Sequence, residues 1–249
     1  MLSEQERRYH YFDSHDPATE SAVVHRETAR KLSEERAEPG LRNPDFLVLR
    51  ERSRIFKQWL ARVGSVTRVL DIGGRIQPYR ALFASGFGLY VAIDPVLEGL
   101  VNVVGIGERL PFPNASFELV LCTQVLNYVK DPSLVIAEIH RVLRPGGYLF
   151  LSAPALFPRH HDERWRFLPN GLRVLLEPFA RVEIVPEGHS VAGVCRTINS
   201  AIAVEDRHWR LAGLLRSTVV PAVNCVGLCL DNLSKSERLT ANYSVLARK

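Results

Sequence analysis

The stretch VLDIGG at residues 69–74 organises the rest of this sequence. Apolar residues are followed by an acid and two glycines, which is the pattern of a short buried strand that ends in a tight turn. Asp71 and Gly73 would lie at the strand tip, where a glycine lets the backbone approach a ligand and supply N–H groups. An open α/β sheet builds a nucleotide-type pocket in this way, at the carboxyl end of a central strand.

Strand and helix patterns alternate along the chain. The predicted strands cover residues 67–72, 90–94, 101–104, 117–123, 148–152, 182–185 and 243–247. The predicted helices cover residues 20–37, 44–62, 131–143, 170–177, 198–216 and 219–233, with one more that begins near residue 77. Asp131 is the expected N-cap of the helix at 131–143. The alternation predicts an α/β fold with a mostly parallel sheet that helices cover on both faces.

The length of 249 residues allows one large domain with an appendage. We expect a helical N-terminal extension at residues 1–62, in which the helix at 44–62 packs one face on the sheet. The main domain would follow at residues 63–249. It would consist of a cofactor half at 63–154 and a substrate-side half at 155–249.

Charge and cysteine content restrict the class of partner. Hydrophobic residues are 46% and charged residues 24% of the chain, as in ordinary soluble globular proteins, and the net charge is +5. There is no Lys/Arg run long enough to mark a nucleic-acid groove, so we expect no nucleic-acid partner. The four cysteines form no CxxC pair, and no clustered His or Cys completes a metal site. We therefore expect a reduced, cytoplasmic protein without a bound metal.

Two features bear on membrane contact. The N-terminus is charged and polar, which argues against a secretory signal. The uncharged stretch at 217–230 is too short for a membrane span and contains Pro221. The wider apolar segment at 211–230 is therefore either a buried helix pair or an apolar lip that meets a lipid-linked acceptor or a membrane surface.

A second acid strengthens the prediction of a nucleotide-type ligand. Asp94 ends the predicted second strand, about twenty residues after the glycine turn. A carboxylate in this position can accept hydrogen bonds from two ribose hydroxyls. The glycine turn and Asp94 together therefore predict a ligand that contains a ribose.

Five segments resemble, in order and spacing, the class I S-adenosylmethionine-dependent methyltransferases, and in particular the broad Methyltransferase 11 group. They are VLDIG at 69–73, AID at 92–94, LPFPNASF at 110–117, TQVLNYV at 123–129 and EIHRVLRPGGY at 138–148. A later segment, RHHDERWRF at 159–167, is similar to members associated with glycan and polysaccharide biosynthesis. The resemblance implies a Rossmann-like methyltransferase sandwich with seven strands, the last of them antiparallel.

The resemblance also implies that S-adenosylmethionine is the cofactor, held at the carboxyl ends of the first, second and fourth strands. The implied binding residues are Asp71, Gly73 and Gly74 for the amino-acid part, Asp94 for the ribose, Pro95, Gly107 and Glu108 around the adenine, and Thr123 and Gln124 below the sulfonium.

Several positions depart from the pattern of the family. Arg75 and Gln77 replace the second and third glycines of the usual D-x-G-x-G-x-G loop, and Ile106 stands where an acid often contacts the adenine amine. The pair Asn127-Tyr128 replaces a frequent Glu-His pair. Arg75 either pairs with the carboxylate of the cofactor or is a solvated surface arginine.

The loop after the fifth strand carries the candidates for chemistry on the acceptor. An oxygen acceptor benefits from a base that removes its proton, and we assign that role to His161, with Asp162 as its partner or as a second candidate. A solvated polar loop is the alternative. We expect an acceptor pocket formed by Tyr128, His160, Trp165 and Arg166. Trp165 would stack on a sugar face or, as an equal alternative, pack in the core, and Arg166 would hold a phosphate or carboxylate.

The sequence therefore predicts a methyltransferase that uses S-adenosylmethionine, with an oxygen of a sugar-containing or other small molecule as acceptor. One alternative is methylation of a non-sugar metabolite such as a quinone or polyketide. A second is a catalytically inactive binding or scaffold protein that keeps the fold, which the departures at Arg75, Gln77 and Ile106 motivate.

Overall fold

The computed structural model of the protein describes residues 26–83, 88–156, 162–205, 212–233 and 235–249. In these ranges seven strands form one sheet: β1 (Arg68–Ile72), β2 (Leu89–Asp94), β3 (Val103–Val104), β4 (Phe117–Thr123), β5 (Leu143–Pro154), β6 (Arg181–Pro186) and β7 (Asn242–Arg248). The order across the sheet is β3-β2-β1-β4-β5-β7-β6. Strands β1 to β5 pair in parallel, whereas β7 is antiparallel to β5 and β6. The predicted Rossmann-like sheet with an antiparallel last strand is confirmed.

The helices of the described ranges are α1 (Arg26–Ala37), α2 (Phe46–Val63), α3 (Pro132–Val142), α4 (Pro169–Leu175), α5 (Ser190–Glu205) and α6 (Ala212–Leu230). The Asp131 side chain accepts hydrogen bonds from the backbone N–H groups of Ser133 and Leu134, which confirms the predicted N-cap of α3.

Three predicted helices differ from those observed. After β1 the described residues contain only a 3-10 turn at Arg80–Phe83 where a helix was expected. Helix α5 begins at Ser190 and not at residue 198. Its first turns contain Gly193, which is a poor helix former in the sequence but allows the helix to pack closely on the backbone of another segment. An added Cβ on Gly193 would lie 1.8 Å from the Leu239 carbonyl oxygen. Helix α6 begins at Ala212 and not at residue 219, with Pro221 in its interior.

Two hydrophobic layers cover the sheet, because successive strand residues point to opposite faces. Helix α2 packs Ile55, Phe56 and Trp59 on one face, as its apolar spacing predicts. Helices α3 and α4 cover the other face. The strand residues that these layers bury are Val69, Leu119, Leu121, Phe150 and Leu246 on the α2 side, and Leu70, Ile72, Val120, Cys122, Leu149, Leu151 and Val245 on the other.

The strand order places a crevice at the carboxyl ends of β1 and β4. The chain winds from β1 outward to β2 and β3, and then returns to β4 on the other side of β1. Loops that leave neighbouring strands in opposite directions open a crevice at this switch point, which is where open α/β sheets bind ligands. The candidate site therefore lies above β1, β2 and β4.

Helix α6 is only half buried. It packs against α2 and α5 through Leu228, Val223 and neighbours, while Leu214, Val226 and Leu230 are exposed. Among the described residues, no helix is both long enough and apolar enough to cross a membrane. The described part of the 211–230 segment thus forms a single helix, α6, which packs on α2 and α5 and leaves an apolar face exposed.

A buried ion pair joins α2 to the segment after β6. The Arg52 guanidinium donates two hydrogen bonds to the Glu187 carboxylate, from Nε at 2.9 Å and from Nη2 at 2.8 Å. The side chains are 4% and 0% exposed. On the same helix, Arg62 forms an ion pair with Glu183 at 2.7 Å, but there the side chains are 58% and 40% exposed.

Removal of the two arginines should therefore have very different effects. Arg52→Ala should lower the free energy of unfolding by about 3–5 kcal/mol, because the Glu187 carboxylate is left buried without its counter-ion. Arg62→Ala, the matched control on the same helix, should cost less than about 1 kcal/mol, because its pair is in solvent. Urea unfolding measures both values. Equal losses in the free energy of unfolding for the two variants would show that burial of the Arg52–Glu187 ion pair does not increase its contribution to stability.

Candidate active site

The floor of the crevice carries a buried carboxyl group at the end of β1. Asp71 is 2% exposed, and the Tyr90 hydroxyl on β2 donates a hydrogen bond to Asp71 Oδ2 at 2.7 Å. Burial raises the pKa of Asp71 to about 7; the Tyr90 hydrogen bond opposes this shift, and the nearby charge of Asp94 adds to it. Asp71 is thus a carboxyl group that can be neutral or charged near neutral pH.

The glycine turn follows directly, and both positions favour glycine: Gly73 because of its backbone conformation and Gly74 because of the space available. Gly73 has a φ of +74°, a left-handed conformation that favours glycine. An added Cβ on Gly74 would lie 2.7 Å from Cγ of Asp71 and 2.9 Å from Cβ of Ala92. The turn therefore brings the backbone close to the crevice, while the Gly73 N–H donates to the Ile93 carbonyl oxygen at 2.8 Å.

Arg75 occupies the position next to Asp94. The Arg75 side chain is 2% exposed, so its interpretation as a solvated surface arginine is wrong. Its Nη2 lies 2.9 Å from Asp94 Oδ1, and its Nη1 lies 3.4 Å from Glu98 Oε2. Asp94 Oδ1 also accepts a hydrogen bond from the Val96 backbone N–H at 3.0 Å. The carboxylate at the tip of β2 is therefore engaged by protein groups on one of its oxygens.

The two residues that replace family glycines tie the loop after β1 to the loop after β2. The Arg75 carbonyl oxygen accepts a hydrogen bond from the Leu100 N–H at 2.8 Å, and Gln77 Nε2 donates to the Leu100 carbonyl oxygen at 2.5 Å. Gln77 has a φ of +49°. From α1, the Ser33 hydroxyl donates to the Gln77 carbonyl oxygen at 3.1 Å. These contacts hold α1 and both loops together at the edge of the crevice.

The remaining predicted cofactor residues lie around the same crevice. Pro95 follows Asp94 and is half-buried. Gly107 is buried beside Val135 and Ile72. Glu108 Oε1 accepts a hydrogen bond from the Lys130 N–H at 3.0 Å. The expected positions at the carboxyl ends of β1, β2 and β4 are thereby brought to one edge of the sheet.

The end of β4 carries a polar cluster that sequence reasoning only partly identified. Thr123 is buried, and Gln124 follows it with a left-handed φ of +56°. Gln124 Nε2 donates to Ser152 Oγ at 2.9 Å, and Ser152 Oγ donates to Glu187 Oε1 at 2.6 Å. Two signals in the sequence mark the missed residues: a serine that ends the apolar run YLFLS, and a lone acid that follows β6.

The segment after β5 returns to the end of β4 and packs on the turn at 127–129. Asn127 Nδ2 donates to Glu163 Oε1 at 2.8 Å, and Arg166 forms an ion pair with the same Glu163 side chain. The Trp165 indole N–H donates to the Val129 carbonyl oxygen at 3.0 Å, and Trp165 remains 42% exposed. These contacts fix the indole while part of its surface faces solvent.

The other candidate residues for binding or activating the acceptor lie in or near the same two segments. The half-buried Tyr128 accepts a hydrogen bond from Arg164 on its carbonyl oxygen. Asp162 is exposed. His160 and His161 lie outside the described residues, so their assignments as acceptor ligand and base stay predictions.

The buried Asp71 carboxyl predicts a pH dependence of stability. An unfolded aspartate has a pKa near 4, whereas the folded one is raised to about 7. The folded state therefore binds more protons between these values, and the free energy of unfolding should fall, by up to about 4 kcal/mol, as the pH rises from about 4 to 7, and then level off. Asp71→Asn should remove this decrease, and Glu177→Gln, which changes an exposed acid, should retain it. Urea unfolding at several pH values measures the slope, and an unchanged slope in Asp71→Asn would assign it to other groups.

The sequence matches one family profile. The Methyltransferase 11 family, described as a methyltransferase domain, matches residues 70–151. Among curated proteins of Arabidopsis thaliana, the probable methyltransferase PMT9 is 29% identical over 46% of this chain and 21% of its own length. The probable pectin methyltransferase QUA2 is 33% identical over 34% of this chain and 13% of its own length. This chain spans about a fifth or less of the length of these relatives.

Solved structures share the fold at low sequence identity. The structure of a SAM-dependent methyltransferase from Archaeoglobus fulgidus has a TM-score of 0.51 at 15% identity, covering 88% of this chain and 99% of that one. The cyclase SpnF has a TM-score of 0.52 at 17% identity, covering 79% and 80% of the two chains. These similarities concern the fold alone.

The matched region runs from Leu70 at the centre of β1 to Leu151 in β5, and it therefore contains the crevice at the ends of β1, β2 and β4. The strand order and the antiparallel β7 agree with the fold that the family resemblance implies. Residues 70–151, about a third of the chain, thus match the Methyltransferase 11 domain, and the strand order agrees with the fold of that domain.

Proposed function

We propose that this protein transfers a methyl group from S-adenosylmethionine to an oxygen of a sugar-containing or other small-molecule acceptor. The observation that carries the proposal is the convergence of Gly73, Asp94 and Gln124 at one crevice inside the matched region. Methyl transfer is an in-line displacement at a sulfonium, which is already a good leaving group. The enzyme therefore contributes mainly by holding donor and acceptor in line.

The donor would lie across the ends of β1, β2 and β4. In this arrangement Gly73 and Gly74 let the backbone approach the amino-acid part closely, with Asp71 below them. Asp94 accepts hydrogen bonds from the ribose, while Pro95, Gly107 and Glu108 border the adenine. Thr123 and Gln124 lie on the methyl side, which is the side nearest the segment after β5.

The acceptor would lie between the end of β4 and the segment that follows β5. Trp165 supports a sugar acceptor, because its indole is fixed by the hydrogen bond to Val129 and partly exposed. The relative QUA2 is named as a probable pectin methyltransferase, which points in the same direction. We retain His161 as the proposed base, with Asp162 beside it, and Tyr128, His160 and Arg166 as acceptor contacts. An acceptor with a lipid tail would meet the exposed apolar face of α6.

Calorimetric titration with S-adenosylmethionine and S-adenosylhomocysteine tests the donor site directly. We expect micromolar binding of both to the wild-type protein. Asp94→Ala should weaken binding by about 1–3 kcal/mol, the usual cost of leaving polar partners unsatisfied. Glu177→Ala, at an exposed site, is the control, and thermal unfolding checks that each variant folds. Unchanged affinity in Asp94→Ala would remove Asp94 from the ribose site.

Arg75 should oppose binding of the donor. Its guanidinium already binds Asp94 Oδ1 at 2.9 Å, so the ribose must compete with a buried ion pair. Arg75→Ala should tighten S-adenosylmethionine binding on the order of tenfold, the contribution of about one charge-assisted hydrogen bond. Arg75→Lys, which keeps the charge, should stay closer to wild type. Weaker binding in Arg75→Ala would instead mean that Arg75 contacts the carboxylate of the cofactor.

A binding or scaffold protein without catalysis is the second candidate, and the Arg75–Asp94 ion pair is the observation that favours it. This candidate predicts that neither the wild-type protein nor Arg75→Ala binds the donor or its product. Methylation of a quinone or polyketide remains the alternative among enzymes. It predicts turnover with flat apolar acceptors and none with sugars, whatever the donor affinity.

A further inference from the structure

A chain of hydrogen bonds runs from α2 through the sheet to the tip of β4. Arg52 binds the Glu187 carboxylate at 2.8 and 2.9 Å, and Ser152 Oγ lies 2.6 Å from Glu187 Oε1. Gln124 Nε2 lies 2.9 Å from the same Ser152 Oγ. On the neighbouring strand, Ser244 Oγ also lies 2.6 Å from Glu187 Oε1. Ser152, Glu187 and Ser244 are each 0% exposed.

The chemistry of these groups fixes the direction of every hydrogen bond. An arginine side chain can only donate, so the Glu187 carboxylate accepts. Ser152 has one proton, which it donates to the carboxylate, and its oxygen is then left to accept. Only the NH₂ group of the Gln124 amide can donate to that oxygen. The amide therefore has one orientation, with Nε2 toward Ser152 and Oε1 turned away from it.

The backbone of Gln124 lies at the crevice, directly after β4. Gln124 is a non-glycine residue with a φ of +56°, an uncommon conformation that persists when surrounding contacts determine it. Its N–H donates to the Ser152 carbonyl oxygen at 2.8 Å, so backbone and side chain bind the same residue of β5. The next residue, Val125, reaches Gly73, since its Cγ2 lies 2.4 Å from the position of an added Cβ there.

We infer that the Gln124 amide oxygen faces the sulfonium and that Ser152 and Glu187 are the positioning residues that orient it. This inference rests on the proposed methyltransferase function. An amide oxygen carries partial negative charge, so it interacts favourably with the positive sulfonium of S-adenosylmethionine. The product, S-adenosylhomocysteine, has a neutral thioether in the same place. The oriented amide therefore selects the donor over the product.

The test compares Ser152→Ala with Ser244→Ala, a matched pair. Both serines are buried, pair with each other across β5 and β7, and donate to the same carboxylate oxygen. Only Ser152 contacts Gln124. Calorimetric affinities for S-adenosylmethionine and S-adenosylhomocysteine are measured for both variants, for Gln124→Met and for wild type.

Ser152→Ala and Gln124→Met should weaken binding of S-adenosylmethionine on the order of tenfold, because the partial negative charge of the amide oxygen is no longer held toward the positive sulfonium. Binding of S-adenosylhomocysteine should change less than about twofold, because the thioether is neutral. Ser244→Ala should leave the ratio of the two affinities at its wild-type value. A ratio that is unchanged in Ser152→Ala, or that changes equally in Ser244→Ala, overturns the inference while the donor site stands.

A second measurement tests the orientation without any ligand. The chain has four glutamines, so selective ¹⁵N-glutamine labelling gives few side-chain amide signals, and their loss in Gln124→Met and Gln77→Met assigns two of them. Gln77 is the internal reference, because its Nε2 is hydrogen-bonded to Leu100. Exchange of the Gln124 amide protons should accelerate in Ser152→Ala and in Glu187→Gln, with Gln77 unaffected and Ser244→Ala like wild type. Unchanged exchange in Ser152→Ala refutes the positioning role even where no cofactor binds.

Failure of wild type to bind either ligand, by contrast, overturns the proposed function and with it the sulfonium contact.

Discussion

The buried carboxylate of Glu187 is the constraint on which much of the structure depends. A charge removed from water is costly unless it is paired and hydrogen-bonded, and Glu187 is met by Arg52, Ser152 and Ser244. These partners come from α2, β5 and β7, which are distant in sequence. The need to satisfy one charge thus requires a helix and two strands to hold the same mutual arrangement, directly below the crevice.

The loop after β1 is held by side-chain contacts instead of being built mainly of glycines. Flexible glycines let a loop adapt closely to a ligand, whereas Arg75 and Gln77 bind the loop after β2. In addition, Ser33 of α1 donates a hydrogen bond to the Gln77 carbonyl oxygen. Two substitutions that look independent in the sequence therefore act together. They exchange adaptability for a preformed edge of the crevice, in which an ion pair precedes any ligand.

Much of the central sheet could be predicted because its strands are buried on both faces and form apolar runs with an acid at the tip. The positions of Asp71 and Asp94 followed from the same pattern. The partner of Asp94 did not, since a long cationic side chain in a turn normally extends into solvent. The ion pair between Arg52 and Glu187 could not be predicted either, because the two residues are 135 positions apart in the sequence. Local periodicity contains no information on such a pairing, and it failed at α5 for a related reason, the contact of Gly193 with a distant backbone.

The place of β7 has a consequence for the order of folding. In the described part of the chain, β6 joins the sheet through β7 alone, and β7 is inserted between β5 and β6 although it follows both in sequence. During synthesis, β5 must therefore wait with an unpaired edge until residues 242–248 leave the ribosome, which delays these non-local contacts. Ser244 and the carboxylate it binds come together only at that last step. The contacts of Glu187 beneath the crevice are therefore completed after the glycine turn and the tip of β2, whose strands come earlier in the sequence.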